Sequence, residues 1–303
     1  MNTLCRSGLV ALLLASSLAW GQVSKEDQDR EKKFQDRSAA VSSDTLHKYG
    51  WSHTLVSGAN LTQVSFKDWA QGGENALSYA LYLNGNSALD EEVINWGNSY
   101  KFTFGQTRLG SQGIRKTDDD IYFESLLIYK VGVYVNPYVA ASLRTQFAVG
   151  YTYDNAGNAT SVSKFFDPGY LTQSAGVLYQ PVPEIKTRFG VGLREIITSQ
   201  FNQYADDPTT TSVEKTKIDG GMEWVTEAAY AFAENMTFTS RVELFDPFKH
   251  LDRVYFRTDN LITAKVNKYI AASVGVQILN DVNVSPRTQI KQVMALGFTY
   301  TIL

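Results

Sequence analysis

From Trp51 to the end of the chain, apolar and polar residues alternate with period two over segments of thirteen to seventeen residues. Such alternation is the signature of strands with two unlike faces. It predicts strands at 51–66, 76–88, 94–108, 119–134, 137–153, 169–181, 184–200, 216–232, 235–247, 250–266, 268–280 and 287–303. The third sets Trp96, Tyr100, Phe102 and Phe104 against Gly97, Ser99, Lys101 and Thr103. The seventh sets Ile185, Phe189, Val191, Leu193 and Ile197 against Lys186, Arg188, Gly190, Gly192 and Arg194.

Period two alone does not say which face meets water. A soluble sandwich buries the apolar face, whereas a barrel in lipid turns it outward and keeps the polar face in its lumen. Two features favour the second arrangement. The segments are longer than the five or six residues usual in soluble sheets. Connections after the even strands are tight, around Asp90-Glu91, Asn136-Pro137, Pro181–Pro183, Glu234 and Asn267-Lys268, while most others are long and polar, as at Thr160–Asp167 and Asn202–Lys217. Short turns on one side and long loops on the other mark an outer-membrane barrel, with the short turns toward the periplasm. The expected fold is therefore all-β: an antiparallel up-and-down transmembrane barrel of about twelve strands over 51–303. Trp96 and Phe104, eight residues apart, would stand ~20 Å apart along the membrane normal, close to the ~25 Å apolar band of such barrels. Tyr151 and Tyr153 would join the outer aromatic girdle.

The first 21 residues carry Arg6, an apolar run from Leu9 to Leu18, and Ala19-Trp20-Gly21, the pattern of a secretory signal peptide cut before Gln22. Cys5 would leave with it, so the exported chain is expected to hold no disulfide and no thiolate metal site. Residues 22–50 are dense in charge of both signs and poor in apolar side chains, and read as a short periplasmic linker or plug. A net charge of -3 and the lack of a Lys/Arg-rich tract argue against a nucleic-acid partner.

Motifs for chemistry are sparse. His47, His53 and His250 are the three histidines, too scattered for a zinc site. A lipid hydrolase would need His250, beside Asp246, Lys249 and Asp252, to meet a serine. Asp118-Asp119-Asp120 reads as a solvated turn without the spacing of a calcium loop. Asn158-Ala159-Thr160 matches a glycosylation pattern of no weight in this setting. No catalytic residue, metal ligand or cofactor is expected.

The lumen is more informative. Its candidate lining residues are Lys130, Arg144, Gln146, Lys186, Arg188, Arg194, Glu223, Glu227, Arg241, Glu243, Arg257 and Asp259. Counted from the turns, Glu227 faces Arg241 with Asp259 one residue off, and Glu243 and Arg257 form a second pair. Opposite charges on facing strands attract. Lys130, Arg144, Lys186 and Arg188 should gather at mid-height as a basic patch.

Trp69–Asn75 (WAQGGEN), Gly113–Asp119 (GIRKTDD), Leu143–Phe147 (LRTQF) and Phe166–Tyr170 (FDPGY) resemble segments of an uncharacterised family of small outer-membrane β-barrels, a domain of unknown function. The resemblance implies a fold and an outer-membrane location, with lipid and the barrel-assembly machinery as partners, but no activity. Such barrels often finish on an aromatic residue that the assembly machinery reads, whereas this chain ends Tyr300-Thr301-Ile302-Leu303. The functional expectation is a non-enzymatic narrow pore or carrier for a small, anionic solute. A structural or receptor-like barrel is the alternative, ahead of a lipid hydrolase.

Overall fold

The computed structural model describes residues 49–302 apart from 67–73, 112, 208 and 283. The expected leader, most of the charged segment 22–50, and Trp69–Gly73 lie outside the described residues. Twelve strands close into one antiparallel barrel: β1 (Gly50–Val64), β2 (Ala76–Asp90), β3 (Ile94–Leu109), β4 (Arg115–Tyr129), β5 (Val135–Thr145), β8 (Gly169–Val182), β9 (Ile185–Ile197), β10 (Thr216–Ala233), β11 (Met236–Pro247), β12 (Tyr255–Lys265), β13 (Ile270–Asn280) and β14 (Gln289–Thr301). The remaining two, β6 (Gly150–Tyr153) and β7 (Ala159–Ser163), pair only with each other in the connection from β5 to β8. Each barrel strand pairs with its neighbours in sequence, and β1 returns to β14. Closure gives every barrel strand a partner strand on both sides, as crossing hydrocarbon demands.

The alternation sorts as a transmembrane barrel requires. Met294, Phe298, Leu296 and Val191 project outward at 84%, 67%, 65% and 60% exposure. Exposed rings collect where the short turns lie: Trp51 and Tyr269 join Trp96, Tyr129, Tyr179, Tyr230 and Tyr300. Trp51 meets Trp96 at 5.7 Å. Amphipathic rings favour such an interfacial belt. Phe104 lies toward the other end, edge-on to Phe147 at 5.8 Å.

Three expected strands need correction; the tenth, read as 250–266, begins only at Tyr255. The fifth, read as 137–153, leaves the wall at Thr145. Period two continues through Phe147, Val149 and Tyr151, but the backbone changes partners. The amides of Phe147 and Ala148 donate to the Asp119 carboxylate at 2.6 and 2.9 Å, and Gly150–Tyr153 turn back on β7. Tyr151 and Tyr153 thus belong to a hairpin beyond the barrel, with the Arg115 guanidinium 4.1 Å over the Tyr153 ring. The fourth strand begins at Arg115 rather than 119, so Asp118–Asp120 form part of the wall, not a solvated turn. Asp120 and Asp119 stand opposite Thr103 and Phe104.

Inside, the barrel is filled unevenly. Leu126 and Ile128 of β4, Tyr138 and Ala140 of β5, and Leu178 of β8 form a buried apolar cluster toward the short turns. Tyr138 lies where Gly176 and Gly190 face each other on β8 and β9. A side chain at Gly190 would come within 2.3 Å of the Ala175 carbonyl and 2.8 Å of the Tyr138 hydroxyl. Gly97, on the open side, has nothing within 4 Å. Gly190→Val should therefore lower stability by about 1–3 kcal/mol, the cost of overpacking. Gly97→Ala should change it by less than about 0.5 kcal/mol. Urea unfolding of the lipid-reconstituted barrel compares the two.

Candidate functional site

The interior is organised around Arg241 of β11. Its Nη2 donates to Glu124 Oε2 at 2.7 Å and to the Tyr122 hydroxyl at 2.7 Å. Nη1 donates to Glu227 and Nε to Glu243 Oε1 at 2.6 Å. Glu124 and Tyr122 stand on β4, separated from β11 by β5, β8, β9 and β10 in the sheet order. The Arg241–Glu124 contact is therefore a chord across the lumen, not a bond along the wall.

Other charges extend the chord. Arg188 Nη2 reaches Glu124 Oε2 at 2.6 Å, and its Nε approaches Glu223 at 3.5 Å. Glu223 also accepts from Ser174 and Tyr138. Lys186 meets Glu227 at 2.7 Å. Arg144 contacts Glu243 at 3.3 Å and Asp120 at 3.5 Å, with its guanidinium 4.5 Å over the Tyr122 ring. Glu124 and Arg188 are each 4% exposed. Burial makes these charges depend on one another, because desolvation is offset only while partners remain.

The chord divides the lumen. On the side of β5, β8, β9 and β10 lie the apolar cluster and the packed arginines. On the side of β1–β3 and β12–β14 lies a cavity of about 940 Å³. Ser52, Thr54, Asn84, Asn86, Ser99 and Gln277 supply hydroxyl and amide groups to its wall. Its lining runs from Asn95, Pro183, Glu184 and Thr237 at the short-turn end to Lys116, Asp118, Gln146 and Lys291 at the long-loop end. Lys291 of β14 meets Asp118 of β4 at 2.8 Å, barring part of the long-loop mouth above β1–β3. A second space of about 100 Å³ lies among Tyr122, Arg144, Tyr170, Arg194, Tyr255 and Arg257.

The twelve candidate lining residues fall as follows. Glu227 stands opposite Arg241 in register and is bonded to it. Glu243 and Arg257 are also opposite, yet Glu243 binds Arg241 and Arg144, while Arg257 binds Asp259 at 2.9 Å on its own strand. Asp259 faces Arg241 directly rather than one residue off, and Gln277 also donates to it. Gln146 lies past the end of β5, accepting from Lys116 and Ser163 at 2.8 Å each. Arg194 binds Asp281 at 2.9 Å, 3.6 Å over the Tyr255 ring.

The mid-height basic patch is not formed. Lys130 sits at a short turn, bonded to Asp90 and to the Glu91 carbonyl at 2.6 Å each. Arg144, Lys186 and Arg188 each have a carboxylate partner. Along the large cavity, Lys101, Lys116, Lys186, Arg241, Arg257 and Lys291 are matched by Asp118, Asp119, Asp120, Glu124, Glu184, Glu227 and Asp259. Counting cations along single strands overlooks acids such as Glu124 and Asp120, which reach them from elsewhere. Both carry the inward parity of β4, the signal that could have found them.

Among the described residues no group of three His, Cys, Asp or Glu side chains is placed to hold a metal ion. His250 occupies a tight turn, its amide donating to the Pro247 carbonyl at 3.1 Å. Among the described residues, His53 is the histidine that meets a serine. Its Nδ1 lies 2.9 Å from Ser87 Oγ, which is shared with the Tyr100 hydroxyl at 3.0 Å, and Trp51 stacks on the imidazole at 5.7 Å. This contact arises from cross-strand pairing of His53 with Ser87, which no motif announces.

A family described as Protein of unknown function (DUF3078) matches residues 61–151. That range contains three of the four segments on which the resemblance rests; Phe166–Tyr170 lies beyond it. No curated protein matches the chain. Among solved structures it is similar to the translocator domain of autotransporter NalP from Neisseria meningitidis, at 9% identity and TM-score 0.35, covering 91% of this chain and 97% of that one. It is also similar to an outer membrane channel from Pseudomonas putida F1, at 8% identity and TM-score 0.40, covering 86% and 99%. For the NanC porin the identity is 10% and the TM-score 0.35, covering 82% and 97%.

The chord gives a direct test. Arg241→Met leaves Glu124 buried with one cation fewer, and should cost about 3–5 kcal/mol in unfolding free energy. Because Arg241 also holds Glu124 and Glu243, the double reversal Arg241→Glu with Glu227→Arg should recover less than half of the loss from Arg241→Glu alone. Equilibrium unfolding of the four proteins in lipid checks both statements.

Proposed function

We propose that this chain is a non-enzymatic outer-membrane barrel, with its short turns in the periplasm, whose off-centre cavity passes a small polar solute. The observation that supports this reading most directly is the extent of that cavity, which has lining residues at both ends of the barrel. A chain that needed charges only for stability could fill the whole cross-section, as the β5–β10 half does. Here side chains on the other half stay short and polar, namely Ser52, Thr54, Asn84, Asn86 and Ser99. Hydroxyls and amides replace part of the hydration of a passing polar molecule without holding it as a fixed charge would.

The mixed charge of the lining offers an anion no net attraction, so the solute class favoured is neutral and polar rather than anionic. The Lys291–Asp118 pair stands across one mouth and is partly exposed, so added salt weakens it. A receptor-like role has support of its own. The Asp167 carboxylate, 1% exposed, accepts from the amides of Ser199 and Gln200 at 2.9 and 2.7 Å, tying two long connections into one ordered cap.

Planar-bilayer recording on the refolded full-length protein tests the pore reading. Small discrete steps with weak anion–cation preference are expected, and silence at all voltages would sink it. Gly97→Phe should cut the step size by half or more, because position 97 lines the cavity with open space before it. Val139→Phe, on the outer face at 59% exposure, should leave it unchanged.

A further inference from the structure

The seam where the barrel closes differs from the others. β1 pairs β14 over five residues, Val56–Asn60 at the middle of β1 against Gly297–Thr301 at the end of β14. The next shortest seam, β4 with β5, has eight pairs, Ile121–Ile128 against Tyr138–Thr145. Continuing the β1–β14 register would set Leu61 against Leu296 and Gln63 against Met294. Instead Leu61–Val64 pair only with β2, and Gln289–Leu296 only with β13. The strands part toward the long loops.

Side chains on both faces are exposed where the two strands part. Leu61, Thr62, Gln63 and Val64 are all exposed, and so are Gln292, Val293 and Met294 in succession. Val293 lines the large cavity, as does Leu261 of the fully paired β12, and both are 41% exposed. Beside it, Gly275 and Leu261 continue a short apolar strip across β13 and β12, bordered by Lys291, Gln277 and Thr263. Across the cavity stand Asn84, Asn86, Ser99 and Lys101. A mostly polar lining thus holds one apolar strip next to the seam.

We propose that the parted β1–β14 seam is a lateral opening through which a single-chain amphiphile, with a polar head and an alkyl tail, moves between the lumen and the surrounding lipid. The proposal rests on the membrane-barrel reading and deepens its solute class. Unpaired amides and carbonyls facing hydrocarbon are costly. Beside a polar lumen they can be reached by water and by the ligand's head, while its tail lies along Val293 and Leu261. Alternation predicts the opposite faces of Val293 and Met294 but not this gap, which depends on the register between the two ends of the chain.

The test uses the full chain with Cys5→Ser in vesicles, with single cysteines carrying a bimane fluorophore: Val293→Cys at the seam, Met294→Cys on the outer face, and Ser99→Cys in the lumen away from the seam. Brominated phosphatidylcholine should quench the Val293 label to within twofold of the Met294 label and leave the Ser99 label unquenched. Mono(dibromostearoyl)glycerol, a neutral single-chain amphiphile, should then quench the Ser99 label saturably. A Val293 label as protected as Ser99 would overturn the opening, and a Ser99 label indifferent to the brominated monoacylglycerol would overturn the amphiphile. Protection of Val293 with disulfide dimers through Met294→Cys would place a second copy on the edge and overturn both. Conductance separates this from the pore reading: lateral quenching without current steps removes the pore alone, and current steps with a sealed seam remove the opening alone.

Discussion

The constraint on which everything else rests is that a backbone in hydrocarbon must find its hydrogen-bond partners within the protein. Twelve strands meet it by closing on themselves, and closure then dictates the rest. Period two sends every second side chain into a confined space, so a wall with an apolar exterior must put its polar residues where water is scarce. Charges there cannot stand alone. The cost of burying Glu124, Arg188 and Arg241 is offset by one another and by Glu223, Glu227 and Glu243, and the network follows from the barrel, not the reverse.

A balanced network can still be placed unevenly, and its placement shapes the lumen. Because Arg241 reaches Glu124 past four intervening strands, the charged chord lies off the barrel axis. Tyrosines brace it. Tyr122 accepts from Arg241 while its ring lies under Arg144, and Tyr138 covers the glycine pair of β8 and β9. Long side chains fill one half of the section, and short hydroxyl and amide residues line the other. The larger of the two described spaces, about 940 Å³, lies on that short-side-chain half.

Most of the wall was legible in the sequence. All twelve barrel strands, their order and the alternation of tight and long connections follow from hydrophobic period and turn residues. The errors share one physical cause. Alternation reports that a segment is extended and two-faced, not which strand it pairs with. Residues 146–153 keep the pattern while leaving the barrel, because Asp119 and β7 take over their hydrogen bonds. The pairing of Glu227 with Arg241 was readable because it is local to one hairpin. Contacts made across the lumen, such as Glu124 with Arg188 and Arg241, were not, since they depend on curvature and closure. The same holds for His53 with Ser87, where residues 34 apart meet only through register.

Register also explains why the first and last strands are the place for the wall to part. Every other seam is set by a connection that holds its two strands at one end, so pairing can zip along them from that point. β1 and β14 have no such link, and their pairing is fixed only by how twelve strands add up around the ring. Asn60 beside Gly297 is the last matched position: a side chain at Gly297 would strike the Asn60 carboxamide and the Ala59 carbonyl. Below it the strands approach closely, with the Ile302 amide donating to the Leu55 carbonyl at 2.7 Å. Above it, Leu61 to Val64 follow β2 while β14 follows β13. The opening thus lies where the barrel's closure is least constrained by the chain itself, and on the side of the lumen left unfilled by the charged chord.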